Sequence, residues 1–260
     1  MDKIQEFIER AKALNKKVVF PEGEDERILL SASELKKEKI AIPLLLGEKE
    51  KIYNIGKNLG ISNISEIEII EPENSDLFDI LVNRYCEKRK NINKSVAEKI
   101  VKRPLVFGGL LVDSGICDTM IAGASNTTAN VIQSAALTVG YLDGVKTASS
   151  FFIMVLPNKK IYFFADCAVN ICPDENQLAE IGITTGLNYK KLMGENPKIA
   201  FLSFSTKGSA SHPMVEKVQK AVKIAREKNK EFDIDGEFQV DSAINEEVAK
   251  RKIKDFSPVA

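Results

Sequence analysis

The chain has 260 residues, 44% of them hydrophobic and 28% charged, close to the composition of an ordinary globular protein and long enough for one large domain or two small ones. Lysine plus arginine and aspartate plus glutamate each total 37, and the resulting zero net charge argues against nucleic acid or an anionic membrane surface as the main partner. No run approaches the ~18 apolar residues of a membrane span, and the opening "MDKIQEFIERAKALNKK" has no signal-peptide core.

In chain order, "KKVVFPE" reads as a short strand ending at Pro21, followed by a helical pattern in "DERILLSASELKKEK". "IAIPLLLGE", closed by Gly47, and the alternating "EIEIIEP" read as further strands. "DLFDILVNRYCEKRK" and "SVAEKIVKRPLVFGGLLVDSG" read as helices, the second interrupted near Pro104. "DTMIAGAS" is expected to be a buried strand opening into the helix "NTTANVIQSAALTVG", with Asn126 or Thr127 as cap. Then the pattern changes. "ASSFFIMVLP" and "IYFFADCAV" flank a Pro-Asn-Lys turn and predict a β-hairpin. "PDENQLAEIGITTGLNYKKLM" opens with proline and acids, as a helix N-terminus should. A strand in "PKIAFLSFS", a helix in "HPMVEKVQKAVKIAREKNK", a strand or strand pair in "FDIDGEFQVDSA" and a short helix in "INEEVAKRK" complete the chain.

This alternation predicts an α/β architecture of mostly parallel sheet with flanking helices. The hairpin suggests a boundary between two lobes, residues 1–147 and 148–260. Ligands of such sheets collect beyond the carboxyl ends of the strands, and two polar strand exits lie there: Ser125–Thr128 and Ser205–Ser209. In "STKGSA", hydroxyls surround one lysine and one glycine, which suits either an oxyanion loop or a solvated turn; it is not the G-x-x-x-x-G-K-[ST] phosphate loop. "GASNTTAN" suits either a close approach of backbone to ligand or a plain helix cap. His212, the only histidine, excludes a His-rich metal site. "DIDGE" reads as a turn capped by acids rather than a metal loop, and no G-x-G-x-x-G supports dinucleotide binding. Cys86, Cys117, Cys167 and Cys172 form no C-x-x-C pair and are expected to be buried or half-buried free thiols in a reducing cytosol. The Asn-x-Ser/Thr triplets at Asn63, Asn93 and Asn126 are accordingly not read as glycosylation sites.

"VVFPEGEDERIL", "MIAGASNTTANV", "SSFFIMVLP", "FADCAVNICPDE", "IAFLSFSTKGSA" and "FDIDGEFQVDSAI" together resemble the phosphate acetyltransferase (phosphotransacetylase) family, in family order and over essentially the whole chain. The resemblance implies two α/β lobes with a cleft between them, similar to isocitrate and isopropylmalate dehydrogenases. It implies a cytoplasmic homodimer that moves an acetyl group between coenzyme A and phosphate, with no tightly bound cofactor and no metal. The implied reaction is direct thiolate attack in a ternary complex, with an aspartate as base and a serine and arginines holding the acyl oxygen and phosphate.

Carried over by motif, the implied substrate-binding residues are Arg89, Ser125, Asn126, Thr127, Thr128, Ser205, Thr206, Lys207, Gly208 and Ser209. Gln133 stands where the family usually has arginine, and the chain ends at "FSPVA", before the family's loop of catalytic serine, arginine and aspartate. The expectation is therefore a chain without assigned catalytic residues: a fragment, a split gene product or a truncated, impaired CoA- and phosphate-binding homologue. A butyryl or propionyl preference is a further alternative.

Overall fold

The computed structural model describes residues 3–260, which divide into two compact units, one ending at Gly140 and the other beginning at Tyr141. The division falls before the hairpin, a few residues earlier than its position in the sequence suggested.

The first unit contains α1 (Lys3–Leu14), β1 (Lys17–Phe20), α2 (Glu26–Lys37), β2 (Ile42–Leu46), α3 (Lys49–Asn58), β3 (Glu68–Ile70), α4 (Phe78–Lys88), α5 (Lys94–Val101), α6 (Pro104–Asp113), β4 (Thr119–Met120) and α7 (Thr128–Thr138). The four strands form one parallel sheet in the order β3-β2-β1-β4. Two apolar layers cover it. One joins Val19, Leu44 and Leu46 to Leu81, Phe107 and Leu110; the other joins Val18, Phe20 and Leu45 to Leu29, Ile52 and Ile64. Because each face has its own layer, β1 and β2 read as nearly continuous apolar runs rather than alternating ones.

Helix α6 is apolar on every side and buried from Leu105 to Leu111, as a helix enclosed by neighbours must be. Its Gly109 lets α7 approach: a Cβ there would meet Thr138 Oγ1 at 2.2 Å. The helical stretch is interrupted near Pro104 as expected: α5 ends at Val101 and Pro104 begins α6, where its missing N–H costs no intrahelical bond. The expected buried strand "DTMIAGAS" is corrected to two residues, with Ile121 half exposed. Beyond Met120 the backbone leaves the ladder to make the bonds described below.

The second unit contains β5 (Phe151–Val155), β6 (Ile161–Ala165), α8 (Glu175–Met193), β7 (Lys198–Leu202), α9 (Pro213–Lys228), β8 (Asp233–Phe238), α10 (Val240–Ile244) and α11 (Glu246–Lys252). The hairpin pairs β5 with β6 from Phe151↔Ala165 to Val155↔Ile161, and β7 pairs in parallel with β8. Helix α8 carries a full capping box, Asp174 with Gln177, and ends at Gly194 in the left-handed conformation. His212 caps α9 by accepting the Met214 N–H on Nδ1 at 3.1 Å. "DIDGE" is not a turn but lies within β8. Cys167 and Cys172 are exposed, which corrects the expectation that all four thiols would be at least half buried. No helix among the described residues is long and apolar enough to cross a membrane.

Candidate functional site

In the first unit, β2 and β3 lie on one side of β1 and β4 on the other, so the chain changes direction between β1 and β4. Loops diverge at such a switch point and leave a crevice. A cavity of about 490 Å³ opens there, lined by residues that follow β1 (Glu22), β2 (Gly47) and β4 (Ser125, Asn126), and by Arg103 and Gln133.

Glu22 organises this crevice. Its carboxylate accepts the backbone N–H groups of Gly123, Ala124, Ser125 and Asn126 at 2.7–2.9 Å, and also the Ser125 hydroxyl and the Asn126 amide. Arg27 adds a hydrogen bond to the Ala124 carbonyl. The loop that looked like an anion cradle is one, but the anion it holds is a side chain of the protein. Burial raises the Glu22 carboxyl pKa; donors from Asn126, Ser125 and Ala124 outweigh it and bring the group down to about 2. Ser125 and Asn126 thus line the cavity with their backbone donors already engaged. Thr127 is the cap of α7, accepting the Asn130 N–H at 3.3 Å, and Thr128 is the first helical residue.

Arg89 lies elsewhere. It follows the last turn of α4 and donates to the carbonyls of Ala136 (3.0 Å) and Leu137 (3.4 Å), the C-terminal end of α7. Ala136 lies about two turns of α7 beyond Thr128, about 12 Å along the helix axis. The cation bordering the cavity is instead Arg103, at the start of α6. No sequence signal singled it out, although an arginine directly before a helix-starting proline is a recognisable position.

The second unit repeats the device. Pairing between β7 and β8 runs Phe201↔Gly236 and then Leu202↔Phe238, skipping Glu237. Such a bulge re-aims a side chain. Glu237, nearly fully buried, accepts the Ser205 hydroxyl (2.9 Å), the Gly208 N–H (2.7 Å) and the Gln219 amide (3.0 Å). Burial raises its carboxyl pKa, but the bonds from Gly208, Gln219 and Ser205 hold it below the usual range. Ser205 and Thr206 are buried, the latter accepting the Gln239 N–H at 2.9 Å. Their hydroxyls therefore shape the loop.

Lys207, Gly208 and Ser209 are its exposed part. Lys207 Nζ bonds Asp235 at 2.5 Å and lies 5.0 Å from the Phe238 ring centroid, so this cation is tethered to a buried carboxylate that also holds Arg226 at 2.6 Å. The described residues contain no group of three or more side chains placed to hold a metal.

These observations define an α/β protein with one carboxylate-anchored polar loop in each unit and an open crevice at the switch point of its first sheet. The profile of the phosphate acetyl/butaryl transferase family matches residues 3–260. A phosphate acetyltransferase of Thermoanaerobacterium thermosaccharolyticum is 42% identical over 100% of this chain and 80% of its own length. One from Clostridium acetobutylicum is 38% identical over 97% of this chain and 78% of its own. A phosphotransacetylase structure from Streptococcus pyogenes superposes with a TM-score of 0.90 at 36% identity, and one from Staphylococcus aureus with 0.89 at 35%. Each of these structural matches covers 99% of this chain and 78% of the other. The chain belongs to the phosphate acetyl/butaryl transferase family.

Proposed function

We propose that the protein is a phosphate acetyltransferase, transferring an acetyl group between acetyl-CoA and inorganic phosphate. The observation that carries this reading is the identity of 42% over the whole chain to a phosphate acetyltransferase. The crevice at the carboxyl ends of β1, β2 and β4, with Arg103 on its wall, supports it, because the substrates are polyanions. In the direction of thioester synthesis, the CoA sulfur loses its proton to a base and attacks the acetyl carbonyl. A C–S bond forms, the C–O bond to phosphate breaks, and phosphate leaves. The residues of this chain bind and orient: Ser125, Asn126 and Thr128 from the first loop, and Lys207, Gly208 and Ser209 from the second. Arg89 supports the first loop's helix from its far end. None of the described residues is assigned as the base.

A homodimer in a reducing cytosol, with coenzyme A as substrate and no resident cofactor, completes the reading. The exposed apolar side chains of the hairpin, such as Phe152 and Phe164, and the four free thiols support it. The family description also names a butyryl activity, and no acyl-contacting residue favours either chain length.

Thioester absorbance on mixing the protein with CoA and acetyl phosphate, or butyryl phosphate, tests the proposal. Thioester formation dependent on both substrates is expected, faster with acetyl phosphate. CoA binding without thioester formation would instead support a binding homologue, and absence of both would remove the proposal.

A further inference from the structure

The charged side chains lining the cavity are Glu22, Glu24, Asp25 and Arg103. Three have protein partners. Glu22 holds the Gly123–Asn126 loop, Glu24 is paired with Lys51, and Asp25 is paired with Arg27 at 2.7 Å. Arg103 differs: its guanidinium has no carboxylate or carbonyl partner among the described residues, and it makes no capping bond to α6. Among the described residues, Arg103 is therefore the one cationic side chain lining the cavity, and it has no carboxylate partner; the Glu22 charge is met by neutral donors alone. Helix α6 also directs its N-terminal turn into the same wall through Pro104 and Leu105, which adds to the positive potential. Two neutral amides without side-chain partners, Asn130 and Gln133, line the cavity from α7.

A cavity of about 490 Å³ is within the range of organic-ligand pockets, roughly 300–1,000 Å³, and larger than a lone phosphate requires. Its floor includes Leu46 and Leu137, which favour apolar or ring atoms over a small hydrated ion. We propose that Arg103 is a substrate-binding residue that grips a phosphate of the nucleotide half of coenzyme A, with Gln133 and Asn130 as neutral donors beside it. The identity of the ligand rests on the acyl-transfer reading; the choice of Arg103 as its anion contact rests on the wall itself, where the carboxylates are already held by protein donors and Arg103 is not held by any acceptor. Gln133 provides hydrogen bonds but no charge, so Arg103 supplies the crevice's attraction for the anion.

The test compares the wild-type protein with Arg103→Ala and Arg103→Lys. Calorimetric titrations use CoA, pantetheine and inorganic phosphate; steady-state rates use CoA and acetyl phosphate. Arg103→Ala is expected to weaken CoA binding and raise its KM by roughly tenfold or more, the usual effect of losing a charge-assisted contact. The acetyl phosphate KM and pantetheine binding should stay within about twofold. Arg103→Lys should fall between, keeping charge but not the two-pronged donor. Thermal unfolding should be unchanged, because the side chain is exposed and makes no contact the fold uses. Unchanged CoA affinity in Arg103→Ala overturns the proposal, as does a loss confined to inorganic phosphate and acetyl phosphate. If no thioester forms but the CoA affinity still falls, acyl transfer fails and Arg103 stands; the reverse result removes Arg103 and leaves acyl transfer.

Discussion

Glu22→Ala is expected to destabilise the first unit by about 3–5 kcal/mol, because it strips the acceptor from four backbone N–H groups and two side-chain donors at once. Water entering the crevice can recover part of this, so the cost is less than six separate bonds would suggest. Glu22→Gln keeps the shape but turns an NH₂ toward donors, and should cost about 2 kcal/mol. Urea unfolding at neutral pH measures both; a change below about 1 kcal/mol in the alanine variant would show that the carboxylate does not hold the loop.

The same residue should shape the acid limb of stability. Its folded pKa is about 2 against an ordinary 4.5, so its contribution is fully present above pH 4.5 and is lost as pH falls toward 2. That contribution is about 3 kcal/mol, of which about 2 kcal/mol should be gone by pH 3. Other depressed carboxyls, including Glu237 and Asp235, give both proteins an acid limb, so the informative quantity is the difference between wild type and Glu22→Gln. The gap should narrow between pH 5 and pH 3; a constant gap would contradict the assigned role.

Asp235→Ala should be the most costly change in the second unit, about 3–4 kcal/mol. Asp235 is nearly fully buried and accepts Lys207 Nζ, Arg226 Nη2 and the Gly236 N–H. Burial raises its pKa, and the bond from Lys207 leads the interactions that bring it below the usual value. Removing it leaves two cations with only the carbonyls of Gly236 and Ile234 to donate to. Both are partly exposed and can turn to solvent, which places the cost below that of a fully enclosed pair. The freed Lys207 should also loosen the Ser205–Ser209 loop, visible as increased proteolysis there. A variant as stable as wild type, with an intact loop, would show that Asp235 anchors neither cation.

Much of the fold follows from local patterns in the sequence. The "KVVF" strand, the hairpin, the Asp174–Gln177 cap and the Pro213 helix start all depend on residues within a few positions of one another. Helices α1 and α3 carry weaker local signals: Lys3–Leu14 mixes charges throughout, and Lys49–Asn58 is a short polar stretch between stronger ones. The "DTMIAGAS" expectation failed after Met120, because apolar content cannot show where a backbone will leave its ladder to meet a carboxylate.

That carboxylate explains what was hidden in the candidate site. Glu22 is about a hundred residues from the amides it accepts, and Glu237 about thirty from Ser205 and Gly208. Nothing in "FPEGE" or "DGEFQ" encodes such distant partners. The glycine and hydroxyl signature marked two anion-holding loops, but it could not show that each already contains an acid from its own unit. Arg103 was obscured differently: the break in "VKRPLV" is legible, but not that the arginine before the new helix would line a cavity.

Residue-resolved amide exchange in the ligand-free protein tests most directly whether internal carboxylates hold these loops. The N–H groups of Gly123, Ala124, Ser125, Asn126 and Gly208 should exchange slowly before any substrate is added, and saturating CoA or phosphate should change them little. Rapid exchange of these amides in the free protein, with protection appearing only on addition of phosphate or CoA, would show that the loops wait for substrate and that Glu22 and Glu237 do not fill them.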